Sequence, residues 1–65
     1  MSDIEALKAA VKKLSSQAIQ AKMDLHDLSE ELPVNWEKIP EVAAHCHEAY
    51  AKLTEARKEL KAAGG

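Results

Sequence analysis

The chain has 65 residues, one small domain's worth, with nine basic and eleven acidic side chains and a formal net charge of −2. Read along the sequence the two signs are mixed, which argues against the basic stripe that a nucleic-acid or anionic-membrane surface requires. With Trp36 and Tyr50 as the sole aromatic residues, the chain lacks material for a deep ligand pocket or a base-stacking platform.

The first predicted element opens with Ser2 and Glu5, an S-x-x-E capping box that places a helix start at Asp3. From there Ile4, Leu7, Val11, Leu14, Ala18, Ala21, Leu25, Leu28 and Leu32 alternate spacings of three and four. That alternation holds one narrow apolar stripe on a single face over many turns, as in a coiled coil. Pro33 disfavours helical geometry at the residue before it, so the helix is expected to span 3–31, roughly 43 Å. Residues 32–39 form a connector, with Asn35 expected to cap a short turn through Trp36 to Lys38. Pro40 suits the first position of a second helix, 40–63, because its missing N–H leaves no bond unmade there. The seam resumes as Val42, Cys46, Ala49, Leu53, Ala56, Leu60 and Ala63. Gly64 and Gly65 then read as a frayed helix end.

A short connector between long helices gives antiparallel neighbours. The expected pairs are Leu25 with Cys46, Ala21 with Ala49, Ala18 with Leu53, Leu14 with Ala56 and Val11 with Leu60. Residues 1–65 are thus an all-α, antiparallel two-helix hairpin forming a single domain. Ordering it costs roughly 1.5 kcal/mol per residue, and two stripes offset that poorly. One cysteine cannot close an intrachain disulfide. Self-association, a homodimer or tetramer built as a four-helix bundle, is the expected staple, with a metal second. No apolar run approaches the roughly 20 residues that cross a bilayer. With Met-Ser-Asp at the start and a lone cysteine, the expected compartment is the cytoplasm.

Candidate chemistry gathers near the end of the first helix. Met23, His26, Asp27 and Glu30 stand at i, i+3, i+4 and i+7 and share a face. His26 and Glu30 are candidate ligands for a divalent ion, and Asp27 can add an oxygen. That mixed nitrogen and oxygen set suits zinc, nickel or ferrous iron. The competing reading is a hydrated polar surface. His45, Cys46 and His47 form no joint site, because successive helical residues point about 100° apart. Cys46 belongs to the seam, and His45 is expected to pair with Asp24 across the hairpin. Trp36 and Val34 read as a cap on the bundle end, or alternatively as an exposed docking patch. Without a glycine-rich phosphate loop or a nucleophile with a base, no enzyme is expected.

The stretch Lys22-Met23-Asp24-Leu25-His26-Asp27-Leu28-Ser29-Glu30, continuing as Leu32-Pro33 and Trp36-Glu37-Lys38-Ile39-Pro40-Glu41-Val42, resembles a small family of nitrogen-fixation-associated proteins encoded beside nitrogenase cofactor-assembly genes. The resemblance implies a long α-hairpin like that of Rop, assembling into four-helix bundles. It also implies an accessory role, either metal binding or support of nitrogenase cofactor maturation, with a nitrogenase assembly factor as partner. By position it points to Asp24, His26, Asp27 and Glu30 as the metal-binding group, with Pro33 shaping the turn. The alternative is a metal-free adaptor whose polar face and connector, with Met23, Pro33 and Trp36, dock onto a larger protein.

Overall fold

Apolar side chains spaced three and four apart can leave water only against a second such stripe, and that is the arrangement found. The computed structural model describes residues 4–65. Helix α1 runs Ile4–Glu31 and helix α2 runs Ile39–Ala62, folded back antiparallel into a rod of 51 × 14 × 13 Å. Ser2, the first residue of the expected capping box, and Asp3, the expected helix start, lie outside the described residues.

Among the described residues, every one shielded from solvent, apart from Ser15 and Ala43, belongs to the seam. Ala18 (0% exposed), Ala21, Leu28 and Leu53 (2%) are buried, and the rest of the seam within the helices is half-buried. Alanine at two buried positions of α1 lets the helix backbones approach closely, and Leu53 of α2 fills the space opposite. Val11 and Leu60 line one furrow between the helices, and Leu14 and Ala56 line another, as the expected register requires. Two seam positions do not behave as expected. Leu32 is 40% exposed and Ala63 is exposed. Both lie just past a helix end, where the chain has left the periodicity that aims a side chain at the partner.

The connector is a run of tight turns. Val34 N–H donates to Glu31 O (2.9 Å), Trp36 N–H to Pro33 O (3.3 Å) and Lys38 N–H to Asn35 O (3.0 Å). Trp36–Lys38 form a single 3₁₀ turn, and the Leu32–Pro33 peptide is cis. Asn35 precedes that turn as expected, but its side chain makes no capping hydrogen bond. Instead its backbone is left-handed, at φ 62° and ψ 26°. Asparagine tolerates that region better than other residues with a Cβ. Helix α2 begins one residue earlier than expected, at Ile39, which leaves Pro40 in the first turn where its missing N–H still costs nothing.

The end of α2 is built rather than frayed. Gly65 N–H donates to Leu60 O (2.9 Å) and Gly64 N–H to Lys61 O (3.1 Å), with Gly64 at φ 91°. These are the paired bonds of a Schellman cap, whose left-handed position favours glycine.

Leu53→Ala should cost about 2–5 kcal/mol, read as a large drop in the thermal midpoint. At the turn, Asn35→Val should cost about 1–2 kcal/mol because a β-branched residue resists a left-handed backbone. Asn35→Gly should stay within about 0.5 kcal/mol of the parent. Equal melting of the two Asn35 variants would contradict the left-handed assignment.

Candidate functional site

A 28-residue helix with one buried stripe presents the remainder of its surface to solvent, and the motif residues lie there. His26 sits between two carboxylates. Its Nε2 is 3.6 Å from Glu30 Oε2, one turn onward, and its Nδ1 is 3.7 Å from Asp27 Oδ1. All three side chains are mostly exposed. Ser29 Oγ donates to the His26 carbonyl (2.7 Å), capping the backbone locally without touching the ring.

The structure therefore brings His26, Asp27 and Glu30 together, but not around one point. The two carboxylates approach opposite ring nitrogens, and one imidazole cannot turn both nitrogens toward a single ion. Each of the two pairs, His26 Nε2 with Glu30 and His26 Nδ1 with Asp27, stands near the separation that two ligands take when each is about 2 Å from a shared ion, but the two pairs use opposite ring nitrogens. Among the described residues no group of three or more His, Cys, Asp or Glu side chains is placed to hold a metal. Asp24 is not part of the cluster: it accepts a hydrogen bond from Gln20 Nε2 (3.0 Å), one turn back. Asp24, His26, Asp27 and Glu30, the set implied by resemblance, do not converge on one point among the described residues.

The expected Asp24–His45 pair does not form either. Ion pairs among the described residues involve His26 alone. A partner four residues away on the same helix, Gln20, reaches Asp24 more directly than a residue across the hairpin. His45 instead lines an interhelix furrow of about 350 Å³ with Leu14, Gln17, Gln20, Glu48 and Ala49. Cys46 is half-buried in the seam, as its position in the repeat requires.

The connector carries the most exposed apolar surface. Val34 is 61% exposed and Trp36 60%, with Leu32, Met23 and Ile39 also exposed. The reading of Trp36 and Val34 as a cap fails for the hairpin itself, because a fold two helices thick has no third element to receive an indole. Met23, Pro33 and Trp36 all lie exposed toward this end. Ile19 and Tyr50, which the sequence analysis left without a role, are exposed on the flanks. Their signal was available: both are apolar and both fall off the seam. No helix among the described residues is long and apolar enough to cross a membrane.

An antiparallel α-hairpin with an uninterrupted seam and a tight apolar tip defines a small Rop-like helical protein, and the chain belongs to the Rop-like family, whose model matches residues 2–64. Its curated relatives carry the name UPF0437. The protein of Azorhizobium caulinodans is 57% identical over 61 residues, covering 94% of this chain and 88% of the relative. That of Trichormus variabilis is 48% identical over 58 residues, covering 89% and 67%. A Frankia alni relative, described as lying in the nifX-nifW intergenic region, is 43% identical over 51 residues, covering 78% and 62%. No solved structure matches the chain.

Because His26 and its neighbours are exposed and pack against nothing, His26→Ala should change stability by no more than about 0.5 kcal/mol. Thermal denaturation checks this, and a larger loss would mean the His26 pairs hold the helix together.

Proposed function

We propose that the chain is a non-enzymatic accessory protein of nitrogen fixation that works by docking, through the tip of its hairpin, onto a nitrogenase assembly factor. The link to nitrogen fixation rests on the Frankia relative in the nifX-nifW intergenic region and on the motif around Lys22–Val42. The docking mode rests on one observation, the exposure of Trp36 at the tip beside Val34 and Pro33. Tryptophan dominates binding hot spots because a large apolar area is buried with few rotamers to freeze. A rigid two-helix stem carrying such a tip suits an adaptor that works in the cytoplasm. Nothing among the described residues gives positive support for catalysis.

A second reading keeps a metal. The observation in its favour is the His26 Nε2 and Glu30 Oε2 pair at 3.6 Å. Two ligands make a weak site, so iron, nickel or zinc would need further ligands from another chain.

Trp36→Ala should reduce capture of the nitrogenase assembly factor by at least tenfold while leaving the thermal midpoint within a few degrees. Undiminished capture would remove the tip from the interface. Under the metal reading, His26→Ala alone should abolish uptake of iron, nickel or zinc in native mass spectrometry. Uptake equal to the parent would exclude that pair.

A further inference from the structure

Folding the chain back on itself sorts its charges by end. Residues 4–17 and 52–65, which meet at the open end, carry seven basic and three acidic side chains, net +4. Residues 18–51, the loop end, carry two basic and seven acidic, net −5. The two ends are separated along a rod 51 Å long. The acidic charge is concentrated where the apolar tip lies. Residues 27–41 hold Asp27, Glu30, Glu31, Glu37 and Glu41 against Lys38 alone, net −4, and all six are exposed.

Two features leave that charge uncompensated within the chain. Among the described residues, ion pairs join His26 to Asp27 and Glu30, and no Lys or Arg side chain reaches a carboxylate. Glu30 and Glu31 also stand in the last turn of α1, which contains no basic residue. Carboxylates there face the negative end of the helix dipole, and a cation brought from outside relieves the repulsion. Interleaved with the acidic residues in sequence are the exposed apolar side chains Leu32, Val34, Trp36 and Ile39. The end of a rod 14 × 13 Å in section is convex, so a concave surface is needed to bury them. An uncharged cleft would strip water from the surrounding carboxylates with nothing in return, and an acidic cleft would repel them.

We infer that the surface receiving the tip is an apolar cleft whose mouth is lined by lysine or arginine side chains, with the indole of Trp36 seated inside. The inference rests on the docking reading above and adds the chemistry of the partner. Sorted charge also sets the direction of approach. A basic site attracts the loop end and repels the open end, so encounters begin tip-first.

The test uses hosts that reproduce such a cleft: β-cyclodextrin, whose apolar cavity admits an indole, with its rim neutral, amino-substituted or carboxymethylated. In calorimetric titrations at about 50 mM salt, the amino host should bind at least tenfold tighter than the neutral one, and the carboxymethyl host more weakly. At about 500 mM salt the preference for the amino host should largely vanish. Glu30→Lys with Glu31→Lys and Glu37→Lys should cancel it even at low salt. Lys8→Glu with Lys12→Glu, at the far end, should leave it unchanged. Lysines at the end of α1 suit its dipole, and far-UV circular dichroism reports that both variants stay helical. With the nitrogenase assembly factor, the tip-reversed protein should associate at least tenfold more slowly than the parent at low salt. Equal affinity for the three hosts, a preference that survives tip reversal, or an association rate insensitive to it overturns the inference. So does a Trp36 indole N–H resonance that moves with the protein's own concentration, which gives the tip to a second copy. Trp36→Ala separates the two failures. Capture of the assembly factor undiminished by that variant removes the docking reading and this inference with it. Capture lost with Trp36 but indifferent to tip reversal leaves docking standing and removes only the basic mouth.

Discussion

The structure depends on one contact: a stripe of small and branched side chains on α1 pressed against a matching stripe on α2. Ala18 and Ala21 set how closely the helices approach, and Leu53 fills the gap they leave. Four buried side chains among the described residues are a slender core for a chain of this length. Everything else follows from having only two α-helices among the described residues. No third layer exists to bury an indole, enclose a cavity or bring a distant ligand to a motif on the helix surface.

That geometry explains why the motif around His26 does not become a centre of coordination. A helix fans its side chains outward, so neighbours at one and four residues' distance reach the same imidazole from different sides. Converging ligands require a second element facing the first, as in bundles where several helices aim carboxylates and histidines inward. Here the opposing element, α2, meets α1 along the seam and leaves His26, Asp27 and Glu30 to solvent. Surface of functional interest therefore shifts from the helix faces to the tip and to the charged ends.

The hairpin was legible in the sequence because three-four spacing is one-dimensional information. Each seam residue inside a helix, from Ile4 to Leu28 and from Val42 to Leu60, is shielded as the repeat demands. Legibility stops at the helix ends. Leu32 and Ala63 obey the spacing but not the geometry, and Asn35 serves through its backbone conformation rather than its side chain. The Gly64-Gly65 pair is a hydrogen-bonded cap, which depends on a left-handed φ that spacing does not encode. For the candidate site, shared helix face was visible and convergence was not, since the first is periodicity and the second depends on rotamers. Charge was the largest gap. Signs that look mixed along the chain separate only when the first and last segments are folded side by side.

Trp36 is the sole tryptophan, and its ring stands in water at the extremity of the rod rather than in a core. Its fluorescence is therefore nearly silent about folding and sensitive to whatever covers the tip. In most small proteins a buried indole reports unfolding by shifting its emission to the red. In this chain the informative shift is in the opposite direction, to the blue, when a neighbouring surface takes the ring out of solvent. The protein carries its own optical reporter of occupancy, at the one place where a partner's arrival would be felt first.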